Sequence, residues 1–381
     1  MTNSPKYPLL PFSQLVYDIT RWKSGLYMNS MEILAKGEGK NIDRWREAIR
    51  TALLNHPVFS TQIDWCGRQY FVKNRNIFIG KYHQIDFFTK GDDLIINGRI
   101  SRILGDGKSL AILMDDILRA YHGETLPKDD YIGYLENIEQ LKQSEHYCIS
   151  RENLINEFSD ESIPVRPTLD KNLWTLHSPR QGVYESDYTI LHREIIQFAK
   201  SQTLSMDGFF SLCAALAIAE YNGTNAAALT WAYEGRERYE EQRIFGSLHR
   251  DIPFQIKNLQ FPISNLKSDL ISEARNQIRT GIAHSDYPYT LTAPYNKRWN
   301  YAVNVLRVED EHELVKLLPQ QVELLPSPSQ KYAYALLDIE IHESFEGLNI
   351  IYRYSATHYK ESSIQRYAAL VKKHVLWLLS D

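Results

Sequence analysis

The chain has 381 residues, 43% hydrophobic and 24% charged, which is ordinary for a globular protein and long enough for two domains or one large one. A formal net charge of −4 excludes a general basic footprint for nucleic acid. No apolar run approaches the ~20 residues that span a bilayer, and the N-terminus lacks the charged-then-apolar pattern of a signal peptide, so a soluble cytoplasmic protein with no membrane partner is expected.

In chain order, Tyr7–Leu15 is apolar and broken by prolines, an irregular lead-in. Ser30–Ala35 reads as a strand. Asn41–Asn55 is a helix: Asn41 can cap it, and Ile42, Trp45, Ile49, Ala52 and Leu53 share one face. His56-Pro57 stops it. Thr61–Trp65 and Gln69–Lys73 alternate as a hairpin around Cys66-Gly67-Arg68. The β-prone run Asp93–Asn97 leads into a tight Asp-Gly turn and then an apolar-periodic helix at Leu110–Tyr121. Tyr131–Tyr147 reads as a further helix. Between about Ser159 and Gln181 the chain is proline-punctuated and weakly periodic, the mark of a boundary. The lobes expected from this are 1–165 and 182–381, with a linker at 166–181.

Beyond the linker, Asp187–Arg193 reads as a strand and Ser205–Tyr221, apolar nearly all round, as a buried helix. Ala226–Tyr233 is a strand, Glu234–Arg243 a highly charged stretch, and Ile252–Ile256 a short strand. Asn265–His284 is an amphipathic helix. Trp299–Val308, Tyr332–His342 and Leu348–Ser355 read as strands, and Ser362–Leu379 as a closing helix. Three scattered cysteines, Cys66, Cys148 and Cys213, make neither a disulfide framework nor a zinc site and are expected to be buried small hydrophobes. The dispersed histidines show no metal-ligand spacing, and no G-x-S-x-G motif is present.

The turn between the Asp93–Asn97 run and its helix reads N-G-R-I-S-R-I-L-G-D-G-K-S, Asn97–Ser109. Gly107-Lys108-Ser109 matches the tail of a phosphate loop, but Arg102 stands where that pattern needs glycine. Locally, Asp106-Gly107 is a turn in which Asp106 caps the following helix.

A resemblance extends over nearly the whole chain. Tyr7–Gln14 (YPLLPFSQ), His56–Ile63 (HPVFSTQI, with Ser60 where arginine is usual), Tyr233–Ile256, Ala283–Thr290 (AHSDYPYT) and the closing strand, loop and helix resemble, in order, segments of the condensation domains of nonribosomal peptide synthetases. These belong to the chloramphenicol-acetyltransferase-like superfamily. The resemblance implies an α/β fold of two acetyltransferase-like lobes in a V-shaped pseudo-dimer with a tunnel between them. It implies substrates carried on the 4'-phosphopantetheine arms of carrier proteins, and no bound cofactor or metal. It also implies carrier domains, adjacent synthetase domains or a recruited tailoring enzyme as partners.

The family motif is His-His-x-x-x-Asp-Gly. With its Asp-Gly on Asp106-Gly107, the histidines fall on Ser101 and Arg102. The second histidine is held to steer or deprotonate the attacking amine or to stabilise the tetrahedral intermediate. Arginine cannot accept a proton, although it can donate to a developing oxyanion. The motif's aspartate pairs with an arginine in the family, and Arg236 matches that arginine's segment. His249 is the candidate substitute base, while His56 is expected to position backbone and His284 to be structural.

Two readings follow. In one the domain is a non-catalytic or altered platform, as are some condensation-like domains with arginine at this position, which recruit oxygenases. In the other it is an active amide-forming acyltransferase, with Arg102 or His249 stabilising charge and proximity supplying much of the rate. A stand-alone acyltransferase-fold protein unrelated to peptide synthesis is a third possibility.

Overall fold

The computed structural model describes residues 5–20, 28–72, 76–171, 180–260, 266–292, 302–308, 317–325, 335–344 and 347–380. Local sequence accounts for many of its elements. The helix Ile42–Asn55 begins where the Asn41 side chain accepts from the Arg44 amide at 3.0 Å. It buries Trp45, Ala48, Ile49, Ala52 and Leu53, the three-and-four spacing of an amphipathic helix. Trp45 is fully enclosed, and its indole N–H donates to the Gly39 carbonyl at 2.8 Å. The helix Met206–Asn222 is capped by Ser205, which accepts from the Gly208 amide, and ends at Gly223 in the left-handed conformation, φ 67°. Every residue from Gly208 to Ala219 is buried, as its uniformly apolar sequence requires.

The chain divides into two compact units. The first takes in residues up to Gln143, the stretch Glu234–His249, and the strand Val322–Leu325. It holds an antiparallel four-stranded sheet in the order Val322–Leu325, Met28–Ala35, Asp93–Ser101, His83–Lys90. A smaller sheet pairs Tyr7–Pro8, Arg68–Phe71 and Thr61–Ile63. Ile33, Trp45, Ile49, Leu53, Ile96, Leu113 and Ile117 lie at the centre of its core.

The second unit is built on a six-stranded sheet in the order Gln181–Asp187, Leu348–Ser355, Leu337–Glu343, Val303–Val308, Ala227–Tyr233, Arg250–Ile256. The Leu337–Glu343, Val303–Val308 and Ala227–Tyr233 strands run parallel, and the flanking pairings are antiparallel. The Met206–Asn222 and Glu361–Leu379 helices share its core.

Several elements differ from the sequence reading. The lead-in contains a helix, Pro11–Thr20, because proline suits the first helical turn, where its missing N–H costs nothing. The helix expected over Tyr131–Tyr147 is two, Tyr131–Leu141 and Glu145–Phe158, with Ser144 capping the second by accepting from the Tyr147 amide. The strand expected at Asp187–Arg193 lies earlier, at Gln181–Asp187. There the Asp187 carboxylate accepts from the Thr189 amide at 2.7 Å and turns the chain into the helix His192–Ser201. The strand His83–Lys90 was not expected. The start of the strand read at Trp299–Val308, the start of that at Tyr332–His342, and Asn265 lie outside the described residues.

The expected division into 1–165 and 182–381, joined by 166–181, also differs. The first segment of the first unit ends at Gln143, and Glu234–His249 and the strand Val322–Leu325 return to it from the later half of the sequence. Cys66 and Cys148 are exposed, and only Cys213 is buried as expected. Among the described residues, no single helix is long and apolar enough to cross a membrane.

Candidate functional site

The strand Asp93–Ser101 ends in a turn, where the Ser101 carbonyl accepts from the Leu104 amide at 2.9 Å. Ser101 is buried and its hydroxyl accepts from the Ile103 amide at 3.3 Å, so it ties off the turn. Arg102, half-buried, sets its guanidinium 5.6 Å from the centre of the Phe12 ring, within cation–π range. Phe12 belongs to the Pro11–Thr20 helix, which is fastened to the same turn by a 2.8 Å bond from the Ser13 hydroxyl to the Ile103 carbonyl. The His249 ring meets Phe12 edge to face, with centroids 4.0 Å apart.

Asp106 caps the helix Gly107–Tyr121. The Ser109 amide donates to its carboxylate at 2.9 Å, and the Asp106 amide donates back to the Ser109 hydroxyl at 3.2 Å, a reciprocal box. Gly107 begins the helix with open space on its Cβ side, whereas Gly105 is sterically required. A Cβ there would lie 2.6 Å from the Phe245 ring and 2.8 Å from Cβ of Ser109.

Arg236, brought back by the Glu234–His249 stretch, clamps the aspartate with both ends of its fork. Nη1 donates to Oδ2 and Nη2 to Oδ1, each at 3.0 Å. The guanidinium is enclosed, and Nη2 also reaches the Gly246 carbonyl at 3.0 Å and the Ser109 hydroxyl at 3.2 Å. The Leu248 and His249 amides donate to Oδ2 at 2.9 and 3.1 Å. Ser109 Oγ lies 2.7 Å from the Gly246 carbonyl and 2.8 Å from Asp106 Oδ1, either of which can take its single proton.

Burial by itself raises the Asp106 pKa. The Arg236 charge and its hydrogen bonds, with smaller help from His249 and Ser109, overcome that and hold the carboxyl at about 2. A carboxylate receiving this many donors is a fixed structural anion with nothing left to offer a substrate proton. The His249 imidazole, at 3.9 Å from Oδ2, lies beyond hydrogen-bond length, so the carboxylate does not orient it as it would in a catalytic dyad.

The structure thus brings Ser101, Arg102, Asp106, Gly107, Arg236 and His249 into one neighbourhood of the first unit. Sequence reading missed Ser109, Phe12, Gly105 and Phe245. The D-x-x-S spacing of a reciprocal cap was visible for Ser109, while the others follow from contacts between distant segments. His284 lies in the second unit, where its ring is 3.0 Å from the Ser150 hydroxyl and 3.2 Å from the Asn153 amide nitrogen.

The fold is a mixed α/β one that matches condensation-domain structures of the chloramphenicol-acetyltransferase type. The family model described as the condensation domain matches residues 102–381, and the chain belongs to that family, the condensation domains of nonribosomal peptide synthetases. The X-domain from teicoplanin biosynthesis aligns with a TM-score of 0.80 at 14% identity, covering 100% of this chain and 95% of the other. The epimerization domain from the third module of tyrocidine synthetase B gives 0.76 at 16% identity, with coverages of 99% and 97%. The complex of the X-domain and OxyB from teicoplanin biosynthesis gives 0.78 at 13% identity, covering 100% and 93%. A comparison with curated proteins finds no match.

Proposed function

We propose that this condensation-family domain is a docking platform in a nonribosomal peptide synthetase system and does not itself form peptide bonds. The observation that carries this reading is Arg102, whose guanidinium rests on Phe12: with the motif's Asp-Gly set on Asp106-Gly107, it stands where the family chemistry needs a group that can both accept and donate a proton. The neighbouring Asp106–Arg236 clamp is intact, which supports a scaffold maintained after the chemistry lapsed. Its partners on this reading are carrier-protein domains, presenting substrates on 4'-phosphopantetheine arms, and adjacent synthetase domains or a recruited tailoring enzyme. The similarity to an X-domain crystallised with OxyB supports a recruited protein partner.

One observation favours a second reading, that of an active amide-forming acyltransferase. His249 sits beside Phe12 and 3.9 Å from Asp106, so an imidazole is present in the neighbourhood, with Arg102 available to donate to an oxyanion.

A reconstituted condensation assay separates the two, with loaded donor and acceptor carrier proteins and product followed by mass spectrometry. The platform reading expects no product from the wild type above the no-domain background. Product that persists in Arg102→Ala and disappears in His249→Ala would establish the second reading and overturn the first. Product from Arg102→His alone identifies an intact scaffold lacking only its base.

A further inference from the structure

His56 lies at the C-terminal end of the helix Ile42–Asn55, and its side chain is fully enclosed. Both ring nitrogens face carboxylates: Nδ1 is 2.6 Å from Asp129 Oδ2, and Nε2 is 3.1 Å from Asp116 Oδ2. The Nδ1 contact is a hydrogen bond, whereas Nε2 approaches Asp116 without hydrogen-bond geometry, and in a ring neutral at Nε2 that approach would set a bare lone pair against the carboxylate oxygen. The two acids therefore call for the doubly protonated ring. Burial opposes that charge, but the hydrogen bond to Asp129 and the charges of Asp129 and Asp116 outweigh it and hold the pKa above the ordinary value of 6.5.

Each carboxylate grips the Glu234–His249 stretch with its other contacts. Asp129 Oδ2 also accepts from the Phe245 amide at 3.1 Å. Asp116 pairs with Arg243, whose second nitrogen lies 2.6 Å from Asp115 Oδ2. Asn55 donates to Asp116 Oδ2 at 3.2 Å, and the Phe245 ring packs 5.2 Å from the His56 ring. The charged groups converging on this point are thus Asp116 and Asp115 from the Gly107–Tyr121 helix, Asp129 from the turn before Tyr131, and Arg243 from the returning stretch.

We propose that His56 is a proton-operated clasp. Its imidazolium binds Asp116 and Asp129 to one another and so holds Arg243–His249 on the first unit, and loss of its proton on the alkaline side loosens that stretch. The consequence reaches the Asp106 site, because the Gly246 amide donates to Ser109 and the Leu248 and His249 amides donate to Asp106. A group whose pKa is raised on folding stabilises fully below its unfolded value, near 6.5, and its contribution declines as the pH rises through the folded value. The switch therefore acts from neutrality upward, and each unit of elevation corresponds to about a tenfold change in opening.

Amide hydrogen exchange on the full chain from pH 6 to 9, expressed as protection factors to remove intrinsic base catalysis, tests this directly. The expected result is a loss of protection at Phe245, Gly246, Leu248 and His249, with the midpoint at which the His56 ring titrates by ¹⁵N NMR. His56→Gln should show low protection at those amides with no such midpoint. A ring found neutral at pH 6, wild-type protection factors flat across the range, or the same midpoint in His56→Gln would overturn the proposal. Should His56→Gln fail to fold, the wild type decides alone, since ring titration and loss of protection at different midpoints would equally overturn it.

Discussion

Two buried charge clusters hold the returning stretch Glu234–His249 against the first unit, and they are built on different chemistry. At one end, Arg236 forks onto Asp106 with two 3.0 Å bonds. At the other, His56 stands between Asp116 and Asp129, which in turn hold Arg243 and the Phe245 amide. A guanidinium keeps its charge at any physiological pH, whereas an imidazolium is conditional. The first clamp is therefore a permanent part of the architecture and the second a conditional one, although both fasten the same few residues. The same contrast applies within the family motif. Asp106 is held by a full set of donors, while on the proposed reading the position that needs a titratable ring carries Arg102.

The permanent clamp should be the most damaging to break. Arg236→Met leaves the Asp106 charge buried without its counter-ion, and a loss of about 3–5 kcal/mol in denaturant-induced unfolding is expected. A change under about 1 kcal/mol would show that Ser109 and the amides of Leu248 and His249 suffice to hold the anion.

Acid should sharpen the comparison next. Asp106 has its pKa lowered from 3.8 to about 2, so its contribution is present above 3.8 and lost as the pH falls through about 2. The arithmetic of the shift puts that contribution at about 2 kcal/mol. Asp106→Asn should flatten this part of the acid limb in a pH series of unfolding curves, while His56→Gln should leave it in place and change the alkaline side.

The smallest effect is expected at the surface of the site. Phe12→Leu removes the ring beneath Arg102 and beside His249 and should cost about 1 kcal/mol, read from thermal unfolding. Its more telling readout is the His249 ring signal in NMR, which should shift when its aromatic neighbour is lost.

Much of this was legible in the sequence. Helix caps at Asn41 and Asp106 were visible because a cap is a contact between residues two or three apart. The buried helix Met206–Asn222 was evident from its composition. The pairing of Asp106 with Arg236, 130 residues apart, came from the resemblance and not from any local pattern. The break at Ser144 and the turn at Asp187 were missed because a single polar side chain bonding one backbone amide redirects the chain there, without altering the hydrophobic periodicity around it.

By itself, the sequence determined that this chain carries the condensation-domain plan and that Asp106 begins a helix. Those are statements about residue identity and near neighbours. Only the tertiary structure decided that Glu234–His249 belongs with the first unit, that Asp106 is saturated by donors from that stretch, and that His56 is enclosed between two acids. Burial and charge pairing are set by residues far apart in the chain, and the free energy of an ion depends on what surrounds it in space.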